Sequence, residues 1–299
     1  MRTQRNRVFG LLAVTVASAL GESSAAAAAR LVYVSQTGSD ASVCSFRTPC
    51  KTISGALPHV DPGGAIIVLS QGSFGGATIT QSVQILAPTG SVATSGPFVI
   101  NAGPSDSVVL RGLTIEATTA GTGTGVTLNS AGSVFLEGSV VDGWQTGVDV
   151  VSAAPVQLLL IDSELRNNSS NGLGIRGGVG NNVSVDRCRF TNNAFAAVYA
   201  VRGSTSVARS VASGNLNAFL AGGDPGALLS VVDSVASNNS LGFQVNGATP
   251  ATMQVSGCLA SGNGVGFQQV AGVFLSLGNN LVQGNGTDVS GAITVVGGN

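Results

Sequence analysis

The sequence predicts an all-β fold in which short strands stack as the coils of a solenoid, and three observations carry that prediction. Asparagine returns at one place in six successive segments: Asn168, Asn193, Asn215, Asn239, Asn263 and Asn285. Each stands five residues after an anchor (Ser163, Cys188, Ser210, Ser234, Cys258 and Asn280), and the anchors recur every 22 to 25 residues. A period of that length marks units that bury their apolar face only by stacking on a neighbour. Ahead of the anchors the chain alternates, with apolar residues at Leu158 and Leu160, Val183 and Val185, Leu229 and Val231, Met253 and Val255, and Leu275 and Leu277. Alternation with period two belongs to half-buried strands. Finally, 43 Gly, 43% hydrophobic and 9% charged residues exclude the highly charged, apolar-poor composition of a disordered chain.

Residues 1–29 stand apart from this pattern. Arg2, Arg5 and Arg7 make a basic start, Val8 to Leu20 an apolar run and Ala25 to Ala29 a small-residue stretch. That is the layout of a secretory signal peptide, and the apolar run falls short of the roughly 20 residues a membrane span needs. Its removal brings the formal charge from −1 to about −3. The remaining basic residues are scattered and form no stripe for a phosphate backbone, so nucleic acid is not an expected partner. No second apolar run spans a bilayer, and the expected destination is secreted, periplasmic or cell-surface.

Residues 30–63 read as an N-terminal cap. Thr48 suits a helix N-cap with Pro49 at the first helical position, and Ile53, Ala56, Leu57 and Val60 then form one apolar face. Such a helix would cover the open end of a solenoid core. Export permits disulfides, and Cys44 and Cys50 are close enough in sequence to bridge. Cys188 and Cys258 hold one anchor position three repeats apart, roughly 14 Å at ~4.8 Å per layer, and are expected as buried free thiols.

Residues 64–299 carry the coils, about ten in all and roughly 50 Å long. Ala65–Leu69, Ala77–Thr80 and Val83–Leu86 are expected as early strands, and looser repeats are anchored near Leu113 and Ser139. Two residues after each anchor comes another apolar or small side chain, from Leu165 and Phe190 to Val282. Phe219, Phe243 and Phe267 share one position and should stack as offset rings. The recurring Asn is read as a structural ladder, each amide bonding to the next and each Asn tolerating a positive φ at its turn.

Val183-Ser-Val-Asp-Arg-Cys-Arg-Phe-Thr-Asn-Asn193 and Leu229-Ser-Val-Val-Asp-Ser-Val-Ala-Ser-Asn-Asn239 resemble the repeats of right-handed parallel β-helix proteins of the pectate-lyase-like superfamily. Val32-Tyr-Val-Ser-Gln-Thr-Gly-Ser-Asp40, with Cys44 and Pro49-Cys50-Lys51-Thr52-Ile53, is similar to the entry cap of its secreted members. The resemblance runs from about Leu31 onward. It implies the fold; activity stays open, because the superfamily holds lyases, hydrolases, epimerases, esterases and non-catalytic surface proteins.

A hydrolase needs paired carboxylates, and a lyase a base, commonly with Ca²⁺ held by acidic residues. The outward positions of the strand after the Asn are expected to be Asp149, Val198, Leu220, Gln244 and Gln268, which contain no carboxylate pair. Charge gathers instead at Asp162–Arg189. In register these residues should pair as Asp162–Arg187, Arg209–Asp233 and Glu164–Arg189, worth about 0.2–1 kcal/mol each as surface charge pairs. The catalytic alternative makes Arg187 or Arg189 a base or anion clamp and Asp162, Glu164 or Asp186 ligands of a calcium ion. Trp144, near Asp142 and Asp149, is read either as a sugar-binding platform or as packing under a loop. His59 is read as a surface residue, and Gly121–Gly125 as a turn, since it lacks a phosphate loop's Lys. The Asn-X-Ser/Thr matches at Asn168, Asn182, Asn238 and Asn285 are read as compositional. The expected function is a structural or weak carbohydrate- or surface-binding rod without a cofactor. The alternative is a lyase or hydrolase of acidic polysaccharide through Asp162, Glu164, Arg187 and Arg189. Self-association is expected at an exposed strand edge of the last coil.

Overall fold

The computed structural model describes residues 30–88, 93–223, 226–247 and 251–297. The expected leader, residues 1–29, lies outside them. Among the described residues the chain winds as a parallel β-helix whose three sheets hold 12, 10 and 10 strands. One coil shows the plan. Gln157–Ile161 lies in the first sheet, Glu164–Arg166 in the second and Asn171–Ile175 in the third. The next coil repeats it as Asn182–Asp186, Arg189–Thr191 and Ala196–Ala200, paired in parallel on the one before.

The expected alternation fills the core. Leu158, Val183, Thr205, Leu229 and Met253 align through the first sheet, and Leu165, Phe190, Ala212, Ala236 and Ala260 through the second. Phe219, Phe243 and Phe267 align in the third, with ring centroids 5.1 and 5.3 Å apart, and Phe274 continues the stack at 5.0 Å. Phe274 takes the inward place expected of Leu275, and Leu277 is 39% exposed. The turn from Ser276 to Asn280 is one residue longer than its predecessor, and one residue turns every strand side chain to the opposite face.

Two ladders hold the corners. The asparagine amides bond in series: Asn168 Nδ2 donates to Asn193 Oδ1 at 2.7 Å, and the later steps are 3.0, 3.0, 3.0 and 2.9 Å, ending on Asn285. Backbone N–H groups of Asn193, Asn215, Asn239 and Asn263 donate to the same oxygens at 2.9–3.0 Å. Asp288 ends the series by accepting from both the Asn285 backbone N–H and its Nδ2. The positive φ sits one residue earlier than expected, at Asn167, Asn192, Gly214, Asn238, Gly262 and Gly284. That residue turns the chain so that the following Asn points inward. The anchors form a second ladder, in which Ser139 N–H donates to Ser163 Oγ and Ser210 N–H to Ser234 Oγ, each at 3.1 Å. Cys188 and Cys258 fill serine positions there as buried free thiols. Their thiols donate to the Asp186 and Ser256 carbonyls at 3.3 Å.

The cap helix is one turn, Ile53–Ala56, starting four residues later than expected. Thr52, not Thr48, is its N-cap and accepts from Gly55 N–H at 2.9 Å. Thr48 and Pro49 are held elsewhere, because Cys50 bridges to Val34 and its N–H bonds to Tyr33 O. Asp40 organises the entry by accepting from the Lys51 and Thr52 N–H groups and the Thr52 hydroxyl, at 2.8–2.9 Å. The Cys44–Cys50 disulfide forms as expected. Ile53, Ala56 and Val60 join the core of the first coils.

Candidate functional site

Charge collects on two faces, and they differ in what they offer a ligand. The corner between the first and second sheets carries the predicted charge row. Arg187 Nε donates to Asp162 Oδ1 at 2.7 Å and Nη2 to Oδ2 at 3.0 Å, which is the expected pair in bidentate form. The other two pairs differ. Arg209 turns back to Asp186 at 2.6 Å instead of on to Asp233, and Arg187 also reaches Asp186. Glu164 lies opposite Arg189 in register but pairs with Arg166 at 3.4 Å, while Asp142 takes Arg166 Nε at 2.8 Å. Arg166 shares a strand face with Glu164 and reaches Asp142 one coil earlier, so the three form one compact group.

These pairs have an acid–base consequence. The hydrogen bond from the Arg187 guanidinium holds the Asp162 carboxyl below its usual range, and Asp162 in turn raises Arg187. Each member of the pair thus favours the ionised form of the other. A groove of about 500 Å³ opens beside them, lined by Arg111, Gly112, Glu137, Gly138 and Asp162. Gly112 and Gly138 hold the left-handed corner in two successive coils. Having no side chain there, they leave the groove open where later coils place Asp162, Arg187 and Arg209.

The second face is the outside of the third sheet. Its outward row runs Thr127, Asp149, Gly174, Tyr199, Leu220, Gln244 and Gln268. Val198, expected in this row, points inward above Phe219, and Tyr199 takes its place. The turn after Asn193 has one residue more than the turn after Asn215, and the extra residue reverses the faces. Asp149 is 3% exposed although it faces outward. Arg176 covers it with a two-pronged ion pair, its Nε donating to Oδ1 at 3.0 Å and Nη2 to Oδ2. Gly174 leaves a step in the row, since a Cβ there would lie 3.2 Å from Asp149 Oδ1. Beyond the step, Tyr199 and Phe195 meet edge to face with centroids 5.5 Å apart, and Phe195 is 37% exposed. Asn171 and Asn217 head two strands of this sheet, both nearly fully covered, and each Oδ1 lacks a hydrogen-bond donor.

Of the predicted binding residues, only Asp149 belongs to this face. Trp144 is 5% exposed, packs in the core and donates its indole N–H to Ile115 O at 3.0 Å, so it offers no platform to a sugar. It stands at the head of the asparagine ladder, where its backbone N–H donates to Asn168 Oδ1. Asp142 faces the corner with Arg166. Sequence reasoning missed Arg176, Tyr199 and Phe195. The Phe219–Phe243–Phe267 column, carried back by the repeat spacing, does not place Tyr199 outside, because the extra residue after Asn193 breaks its phase.

A family described as right handed beta helix region matches residues 99–285. Among solved structures, pectate lyase Pel9A superposes with a TM-score of 0.57 at 17% identity, covering 89% of this chain and 77% of that one. An alginate lyase from Paenibacillus sp. str. FPU-7 aligns at 13% identity with a TM-score of 0.48, covering 88% of this chain and 99% of its own. No curated protein sequence matches the chain. At 17% identity the likeness to pectate lyase Pel9A speaks for the fold alone.

Proposed function

This chain belongs to the right-handed β-helix family, and from that premise we propose that it is an exported rod that binds saccharide on the outside of its third sheet. One observation carries the reading: the covered Asp149–Arg176 pair, the Gly174 step and the Tyr199–Phe195 rings lie together on consecutive coils. A sugar ring stacks on an aromatic face with its C–H side and offers hydroxyls at its edge. The pair cancels its own charge, leaving half-exposed Arg176 N–H groups and the Tyr199 hydroxyl as polar contacts. That balance suits a neutral saccharide better than a polyanion. Export is supported by the disulfide, which belongs to oxidising compartments. Among the described residues no helix is long and apolar enough to cross a membrane.

The test is titration of the folded chain with neutral and acidic oligosaccharides, repeated with Tyr199→Ala and Arg176→Ala. Loss of neutral-sugar binding in both variants is the expected result; binding that both variants retain would refute the placement.

A second reading is a lyase or hydrolase of acidic polysaccharide acting through Asp162, Glu164, Arg187 and Arg189, with calcium. The groove beside Asp162 is the observation in its favour. Mass spectrometry of polysaccharides incubated with the protein and Ca²⁺ separates the readings. Shortened products establish an enzyme, and only hydrolysis adds water to them. The partner reading also extends to self-association at the last coil, where Leu281, Val289 and Val295 are more than half exposed.

A further inference from the structure

His59 is the one histidine of the chain, and nothing near it in sequence suggests a partner. The fold supplies one. The short 3₁₀ turn Leu57–His59, with Pro58 near its start, carries His59 back to the entry cap. There one imidazole nitrogen and the sulfurs of Cys44 and Cys50 all lie within 4.8 Å of one another. Both cysteines are fully buried, while His59 is part-exposed and closes the group on its solvent side.

Hydrogen bonds fix the cap beside the sulfur–sulfur bond. Tyr33 N–H donates to Cys44 O at 2.8 Å, and Cys50 N–H donates to Tyr33 O at 2.9 Å. Asp40 ties down the two residues after Cys50 through three hydrogen bonds. Opening the disulfide would leave two thiols beside an imidazole, on a backbone that these hydrogen bonds still tie down.

We infer that the reduced cap is a metal site, with Cys44, Cys50 and His59 as ligands for a thiophilic, tetrahedral divalent cation of the zinc class. Two thiolates and one imidazole are a donor set that such cations favour and that calcium and magnesium do not. The fourth position is open to water, and Ser42 Oγ stands 3.7 Å from Cys50 Sγ. Binding releases the two thiol protons as two metal–sulfur bonds form. Oxidation reverses it: a small-molecule disulfide takes two electrons from the thiolates, the sulfur–sulfur bond closes and the cation leaves. Metal and disulfide are thus alternative staples for one loop, and only one can be present at a time. The site is independent of the saccharide face.

Cobalt(II) is the probe, used with the full chain in a Cys188→Ser/Cys258→Ser background. Serine already occupies that ladder row in other coils, so the background preserves the fold while removing the other thiols. A phosphine opens the disulfide, taking its oxygen from water and leaving two thiols. The expected result is one equivalent of cobalt with a thiolate charge-transfer band and the intense visible bands of tetrahedral cobalt, displaced by zinc. His59→Gln should weaken affinity by more than about tenfold, since even residues that only support a ligand cost that much. Cys44→Ser should abolish the charge-transfer band's two-thiolate intensity. A reduced chain with no such band, an oxidised chain that binds equally well, or a His59→Gln chain of unchanged affinity overturns the assignment.

Discussion

Replacing Asn215 by alanine tests what holds the coils together. In the native fold Asn215 Oδ1 accepts from the Asn193 backbone N–H at 2.9 Å and from Asn193 Nδ2 at 3.0 Å. Its own Nδ2 donates to Phe190 O and to Asn239 Oδ1. The side chain is 4% exposed, so in Asn215→Ala bulk water does not replace the lost acceptor. Two stranded donors at about 1–3 kcal/mol each put the loss at about 2–6 kcal/mol. That is a large share of the roughly 5–15 kcal/mol that holds a typical domain folded. Asn285→Ala is the comparison: it strands the same two groups on Asn263, but in a last coil that water reaches, and should cost about 1 kcal/mol. Asn215→Asp keeps the acceptor but turns a carboxylate on two oxygens. Its carboxyl pKa should rise in the fold, so the penalty grows as pH rises through that value and is relieved in acid. Urea unfolding, followed by far-UV circular dichroism and by Trp144 fluorescence, measures all three. A loss below about 1 kcal/mol at Asn215, or one equal to that at Asn285, would show that the ladder does not rely on burial.

Burial pushes the thiols of Cys188 and Cys258 from 9.0 up to about 12 and about 11. Near pH 8 the native chain should therefore resist thiol reagents that label it fully in denaturant. Because the unfolded chain loses these protons first, stability should hold up to about pH 9 and fall above it, and Cys→Ser at both sites should remove that fall. Phe243→Ala, in the middle of the ring column, should cost about 3–5 kcal/mol in the same urea assay. Reduction of Cys44–Cys50 without metal should lower stability by about 2 kcal/mol, read as a shift in urea midpoint. Sedimentation at high protein concentration tests self-association, and a monomer throughout would sink that part of the proposal.

Much of the fold was legible because its information is local. The anchor spacing, the alternation before each anchor and the recurring Asn identify three strands per coil without any distant contact. The expected disulfide and the buried free cysteines came from spacing as well. What escaped was parity. A single extra residue after Asn193 moved Val198 inward and Tyr199 outward, and another after Ser276 replaced Leu275 by Phe274. Trp144 stayed open between platform and packing for a different reason: the sequence does not show which way an aromatic at a ladder position points, and the indole N–H on Ile115 O decides for packing.

The candidate sites divide in the same way. That charge would gather near Asp162–Arg189 and that Asp149 would face outward could be read from the residues, since both depend only on register. That Arg209 chooses Asp186, that Arg176 covers Asp149, and that His59 meets Cys44 and Cys50 emerged with the folded coils. A repeat length sets which backbones lie side by side. The partner a long side chain takes depends on reach, on competing charges one coil away and on which positions carry glycine, and those become defined only when the coils are stacked.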